Sequence, residues 1–213
     1  MNIIILGPQA SGKGTQAKLL SEKLGLFFFE SGDFWREKAK SDPRIDEMIN
    51  KKGELVPDTE VIASTGQYLK EKSPSLNNLL LDGYPRSLKQ YQLLVDWLKE
   101  EGKKIDLAIL LKISDQEAVR RLSARVVCEK CGTVYNLITN PPPGGKCQCG
   151  GNLTQRPDDR PEAIEKRLQT YHSTTAPLIE VFKKDGILVE VDGERPIETI
   201  SDDLLKIVAG HGE

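Results

Sequence analysis

The sequence predicts an α/β fold: a doubly wound parallel sheet of five strands. Three observations carry that prediction. Five short runs are apolar almost without interruption, as strands covered on both faces are. Helical patterns lie between them, the alternation that builds a doubly wound sheet. The 213 residues suffice for one sizeable core with one or two small insertions.

The elements follow in order. Ile3-Ile4-Ile5-Leu6 is apolar and largely β-branched, and it ends at Gly7. After a loop, Lys13 to Leu24 places Ala17, Leu20 and Leu24 at helical spacing and stops at Gly25. Residues 26–29, Leu-Phe-Phe-Phe, form the second strand, Leu79-Leu80-Leu81-Asp82 the third, residues 107–113 the fourth and residues 187–191 the fifth. Helices are expected over 58–72, 88–100, 115–125, 161–174 and 196–208. Pro161 suits a first helical turn, and Asp158 and Asp159 suit the positive end of that helix and are also placed to pair with Arg125. Two segments break the alternation and are expected as insertions on the carboxyl edge of the sheet. Residues 31–56 are charged and helical with no strand, and residues 124–159 are rich in Gly, Pro and Cys.

Composition excludes several classes of function. Hydrophobic residues make up 38% and charged residues 29%, ordinary for a soluble globular protein, and the net charge of -2 gives no general attraction to nucleic acid or acidic membranes. Any anion site must therefore be built locally. No apolar run is long enough to span a bilayer, and no basic, apolar leader precedes the first strand. A cytoplasmic protein with reduced cysteines is expected, in which paired Cys motifs favour metal over disulfides. His172 and His211 have no partner at metal-ligand spacing and are read as a helix-face residue and a tail residue.

Local anion chemistry is visible at once. Gly7-Pro8-Gln9-Ala10-Ser11-Gly12-Lys13 matches the phosphate-binding pattern of two glycines with four residues between them followed by lysine, with a buried strand before it and a helix after it. Backbone N–H groups of such a loop surround a phosphate, and Lys13 reaches the β- and γ-phosphates. Gly14 stands where Ser or Thr would hold Mg²⁺, and Thr15 follows. The metal is therefore expected on nucleotide oxygens and water, with Asp82, at the end of a buried strand, anchoring those waters or else capping the turn at Gly83.

A second site lies in the cysteine-rich segment. Cys128-x-x-Cys131 is separated by 15 residues from Cys147-x-Cys149, and the stretch between them looks like two short strands and a Pro/Gly turn. Four thiolates suit structural Zn²⁺; free thiols and disulfides are the alternatives.

Gly12-Lys13-Gly14-Thr15-Gln16, Ser31-Gly32-Asp33 with Arg36, Asp82-Gly83-Tyr84-Pro85-Arg86 with Gln90, then Arg156 and Arg167, taken in this order and spacing, closely resemble the adenylate kinases in their long-lid bacterial form. The resemblance covers essentially the whole chain. It implies phosphoryl transfer from MgATP to AMP on a P-loop NTPase-like core of residues 1–29, 57–123 and 160–213, with an NMP-binding insertion over 30–56 and a lid over 124–159 that carries the zinc knuckle. ATP would lie on Ala10, Ser11, Gly12, Lys13, Gly14 and Thr15, with Arg121 and Arg125 on its phosphates and Val134, Tyr135 and Arg195 at its adenine. AMP would lie on Ser31, Arg36, Glu54, Leu55, Val56, Gly83, Tyr84, Pro85, Arg86 and Gln90. Arg156 and Arg167 would reach both substrates. Lys13, Asp82, Arg86, Arg121, Arg125, Arg156 and Arg167 are thus the expected catalytic set, Mg²⁺ and Zn²⁺ the expected cofactors, Cys128, Cys131, Cys147 and Cys149 the zinc ligands, and a monomer without nucleic-acid or membrane partners the expected state.

Elementary chemistry supports the same residues. Phosphoryl transfer asks a protein for positioning and charge neutralisation more than for a nucleophile. Six of the ten arginines fall in the motif register, and the guanidinium fork suits phosphate oxygens. Arg121 and Arg125, four apart on the helix expected over 115–125, would share one face. The chain departs from the family pattern where Pro and Gly are usual: Gln9 and Ala10 stand there, so Ala10 must tolerate a backbone conformation that Gly adopts easily. Ser31 stands for the usual Thr and Tyr84 for the usual Phe. Two other readings are weighed. One is a kinase for UMP or CMP, against which Ser31 and Gln90 lean. The other is a zinc-ribbon nucleic-acid-binding protein, against which the net charge and the lack of a Lys/Arg cluster around the cysteines lean.

Overall fold

The computed structural model describes residues 1–52 and 55–211. At its centre are five parallel strands: β1 (Ile3–Leu6), β2 (Phe27–Glu30), β3 (Leu79–Asp82), β4 (Leu107–Lys112) and, near the C-terminus, β8 (Leu188–Asp192), in the spatial order β2-β3-β1-β4-β8. Ile3 pairs with Leu80 on one side and Leu107 on the other. The continuous apolar runs are explained by alternation, since successive side chains enter opposite faces. Ile4, Leu6, Leu79, Leu81, Ala108 and Leu110 enter one core layer; Ile3, Ile5, Leu80, Leu107, Ile109 and Leu111 enter the other. All are at most 3% exposed, and each large side chain so buried contributes about 1.5–3 kcal/mol.

Helices cover both faces. On one side lie α1 (Lys13–Leu24) and α9 (Ile197–Gly210), through Ala17, Leu20, Ile200, Leu204 and Val208. On the other lie α4 (Asp58–Lys72), α5 (Leu88–Glu100) and α8 (Pro177–Lys184), through Val61, Leu69, Leu94, Leu98, Leu178 and Phe182. Two further helices, α2 (Ser31–Ala39) and α3 (Pro43–Asp46), and a π-helical stretch Glu47–Lys52 occupy the first predicted insertion. Trp35, Ala39 and Ile45 anchor it to the same layer. Chain punctuation agrees with physics: Gly25 ends α1 at φ 65°, and Ser87 and Ser114 cap α5 and α6 (Asp115–Ser123) by accepting the Gln90 and Glu117 amides.

The structure corrects three sequence expectations. The helix expected over 115–125 stops at Ser123, and Arg125 instead opens strand β5 (Arg125–Cys128). Arg121 and Arg125 therefore share no helix face, because the β-branched pair Val126-Val127 extends the chain directly after Ala124. The second strand is shifted by one residue and ends on Glu30. The stretch between the cysteine pairs holds one strand, β6 (Val134–Asn136), where two were expected; it pairs antiparallel with β5, and β7 (Leu153–Thr154), beyond the second pair, completes the order β6-β5-β7. Helix α7 (Pro161–Thr170) follows and passes into a π-helical stretch, Tyr171–Thr175. No helix among the described residues is long and apolar enough to cross a membrane.

Candidate functional site

The carboxyl ends of β1, β2 and β3 and the N-terminus of α1 meet at one place, where open α/β sheets bind ligands. The first turn of α1 has amides without intrahelical acceptors, aimed along a favourable dipole. Gly12 precedes it at φ 94°. Gly7 permits the loop to pass the sheet, since a Cβ there would lie 2.4 Å from the Leu111 carbonyl oxygen. Ala10 adopts φ 61°, the strained left-handed conformation its position demands. Its methyl packs on Ala118, Leu122, Ile164 and Leu168.

Lys13 lies half-buried within the loop, where Nζ donates to the Gly7 and Pro8 carbonyls at 2.8 and 2.7 Å. Burial is the largest influence on its ammonium, and Arg86, Arg167 and Arg125 add repulsion; despite Asp82, its pKa falls to about 8. Asp82 is 5% exposed and its carboxylate accepts no hydrogen bond from the described residues. Burial pushes its pKa upward against the attraction of Lys13 and Arg86.

The expected arginines converge, and Arg36, Arg86, Arg121, Arg125 and Arg167 are each held by a protein acceptor. Arg86 donates through Nε to the Gly83 carbonyl at 2.8 Å. Arg36 pairs with Asp33 and, at 3.5 Å, with Glu30. Arg121 is buried; Nε reaches Glu117 at 2.6 Å and Nη1 the carbonyls of Gly193 at 2.9 Å and Ala10 at 3.4 Å. Arg125 forms a two-pronged pair with Asp159, at 2.7 Å through Nε. Arg167 donates to Asp159 at 3.2 Å and to Asp158. Arg156 faces the fields of Arg125, Arg36, Asp158 and Glu30. Burial opposes the charges of Arg86, Arg156 and Arg167.

Around the second expected substrate, Ser31 is buried at the start of α2, and at Gly83, φ 68°, a Cβ would lie 3.2 Å from Arg86 Nη2. Tyr84, next to Pro85, lies in the core with Val56, and Leu55 is half-buried. Gln90 is buried with both amide ends engaged: Oε1 accepts the Arg86 amide at 2.7 Å and Nε2 donates to Asp58 at 2.9 Å. Glu54 lies outside the described residues. On the other substrate's side, Arg195 pairs with Asp203 at 2.8 Å. Strand alternation separates Val134, exposed, from Tyr135, whose ring packs with Cys128 and Cys147.

Three residues that the motifs do not reveal join this site. Glu30 ends β2 beside Asp82, its register partner. Burial, reinforced by Asp33 and Asp82, pushes its carboxyl up to about 7. The charged residue closing Phe27-Phe28-Phe29-Glu30 is the one local signal for it. Glu117 and Asp58, which hold Arg121 and Gln90, carry no such signal.

The four cysteine sulfurs lie within 4.8 Å of one another. Cys128 and Cys149 are 3.4 Å apart and Cys131 and Cys147 3.5 Å, far beyond a disulfide bond. A tetrahedral ion with bonds of about 2.3 Å sets its sulfurs roughly 3.8 Å apart, so the cluster fits a zinc ion. Tyr135 donates its hydroxyl to Cys147 at 3.5 Å.

The family model described as adenylate kinase matches residues 5–187. Adenylate kinase of Pyrococcus horikoshii is 43% identical over 208 residues, covering 94% of this chain and 92% of its own. That of Archaeoglobus fulgidus is 42% identical over 205 residues, covering 94% of each. That of Thermosipho melanesiensis is 42% identical over 213 residues, covering 98% of this chain and 99% of its own.

Proposed function

The chain belongs to the adenylate kinase family and catalyses reversible phosphoryl transfer between ATP and AMP; from that premise we propose how its residues divide the work. The loop Ala10 to Thr15 and the first turn of α1 receive ATP phosphates, with Lys13 neutralising the β/γ oxygens. Arg121 and Arg125 hold the same phosphates, and Arg195 with the Val134-Tyr135 strand borders the ATP base. Arg36 and Arg86 hold the AMP phosphate. Ser31, Leu55, Val56, the Gly83-Tyr84-Pro85 turn and Gln90 shape the pocket for its base, with Glu54 between them in sequence. Arg156 and Arg167 meet the transferring group from both sides.

One observation supports this reading most. Arg86, Arg167 and Arg125 lie close enough to Lys13 to add repulsion to the effect of its burial, against the attraction of Asp82. Such a cation cluster is unfavourable in a half-buried site unless anions fill it, and phosphates spread over three oxygens are the anions that fit. Asp158 and Asp159 then stand in for phosphate oxygens on Arg125 and Arg167 until nucleotide binds.

Enzymes of this family use Mg²⁺ with ATP, and the ion would supply further neutralisation of phosphate charge. Asp82, buried and with no hydrogen-bond donor among the described residues, is the group we assign to hold its waters. The four thiols would hold a structural Zn²⁺ that crosslinks the lid, residues 124–159, against the small knuckle core of Tyr135, Val126 and Leu153. Residues 30–56 act as the AMP-binding insertion, and the remainder as the core. A free-thiol metal set supports a reducing, cytoplasmic setting, in which the enzyme acts as a monomer on ATP and AMP without nucleic-acid or membrane partners. Steady-state assays with ATP and AMP, CMP or UMP test the base assignment. AMP should exceed the others in kcat/KM by about 100-fold or more, the scale set by unpaired polar groups; comparable turnover of CMP would contradict it.

A further inference from the structure

Two hydrogen bonds from side chains given no role above tie helix α7, which carries Arg167, and the stretch that follows it to the rest of the site. Gln9 Nε2 donates to the Arg167 carbonyl oxygen at 3.2 Å. Thr175 Oγ1 donates to the Arg86 carbonyl oxygen at 2.9 Å. Between these points the α-helix passes into the π-helical stretch Tyr171–Thr175, whose end is marked by Ala176 N–H reaching back to the Tyr171 carbonyl at 2.8 Å. A π turn has poorer hydrogen-bond geometry than the α-helix it interrupts, and such turns recur at functional positions. This one ends with Thr175 on the Arg86 turn.

We propose that Gln9 and Thr175 are positioning residues for the transfer step, which fix the helix bearing Arg167 in register with the phosphate loop on one side and the Arg86 turn on the other. The proposal rests on the roles assigned to Arg86 and Arg167 under Proposed function.

The chemistry of Gln9 separates this role from simple packing. Its Oε1 is buried with no hydrogen-bond partner among the described residues. Burying an unpaired acceptor costs more than one neutral hydrogen bond returns. An apolar side chain of the same length would therefore suit stability as well or better, and the amide is explained by its bond to Arg167. The neighbouring Ala10 extends the connection: its strained backbone places the methyl among Ala118 and Leu122 of α6 and Ile164 and Leu168 of α7. The phosphate loop thus touches the helix that enters the lid and the helix that leaves it. Because transfer depends on the relative placement of reacting groups, a small shift of α7 lowers the rate even when both substrates still bind.

The test measures kcat, both KM values and the melting temperature. Gln9→Met keeps the length and removes the donor; Gln9→Glu keeps the shape and presents only acceptors to the Arg167 carbonyl. Each should lower kcat about tenfold with both KM values within about twofold, a fraction of what misplacement can cost. Gln9→Met should melt no lower than the parent. Thr175→Val should lower kcat several-fold, and Thr175→Ser, which restores the hydroxyl, should recover it. In an Arg167→Lys background, Gln9→Met should cost little further activity, because both act through one group. Unchanged kcat with a lowered melting temperature would overturn the proposal in favour of packing. So would a raised KM for ATP at constant kcat, or a full further loss in the Arg167→Lys background. Full activity of Arg167→Lys alone would instead defeat the role given to Arg167, and the proposal with it, whatever Gln9→Met does.

Discussion

Asp159→Asn should destabilise the protein without nucleotide and do much less harm once nucleotides are bound. The Asp159 side chain has no exposed surface and bridges Arg125, at 2.7 and 2.5 Å, and Arg167, at 3.2 Å. Asparagine keeps the shape and one acceptor but loses the charge, and its NH₂ faces a guanidinium. Breaking a buried ion pair costs about 3–5 kcal/mol. Both arginines retain some solvent, with side chains 12% and 24% exposed, and Arg167 keeps Asp158 at 3.0 Å. The expected loss is therefore smaller, about 2–3 kcal/mol, or about 4–12 °C in melting temperature for a chain of this size. Thermal melts of parent and variant would be recorded without nucleotide and again with AMP plus a non-hydrolysable ATP analogue at saturation. With phosphate oxygens on both arginines, the gap should shrink to below about 3 °C. Equal melting without nucleotide would refute the energetic reasoning. An undiminished gap with nucleotide would show that Arg125 and Arg167 do not meet phosphate.

Other expectations concern the loop, the metal and pH. Lys13→Met should lower kcat by about 10²–10³ or more with the fold intact; near-normal activity in a folded variant would sink the assignment. Chelation, or Cys128→Ser, should produce an early, separate melting step of the lid and only modest loss of activity in the cold. Protein purified without chelator and found free of zinc would count against that, as would immediate loss of transfer at unchanged stability. Glu30 titrates at about 7 in the fold against an ordinary 4.5, so the fold binds this proton more tightly than the unfolded chain does. Its contribution is neutral below pH 4.5 and increasingly unfavourable as pH rises through about 7. Glu30→Gln should accordingly melt with the parent near about pH 5 and above it near about pH 8. The same difference at both pH values would show that Glu30 is not held in this state.

The sequence by itself determined the sheet, the phosphate loop and the family. Strands β1, β3 and β4 were legible because burial on both faces leaves an unbroken apolar run, and α4 and α5 because one apolar face repeats at helical spacing. The positive φ of Ala10 followed from its place in the loop pattern. What only the tertiary structure decided is which groups hold the charged side chains. Arg121 meets the Gly193 carbonyl across 72 positions of sequence, and Gln9 meets Arg167 across 158. Arg125 itself left its expected helix because the extended pairing of Val126 and Val127 with β6 overrode a weak helical pattern at that helix's end. A local pattern records which face of an element is buried. It does not record which distant element comes to lie against that face, since this depends on strand order, helix crossing and the register of insertions. Those are set by the packing of the whole chain.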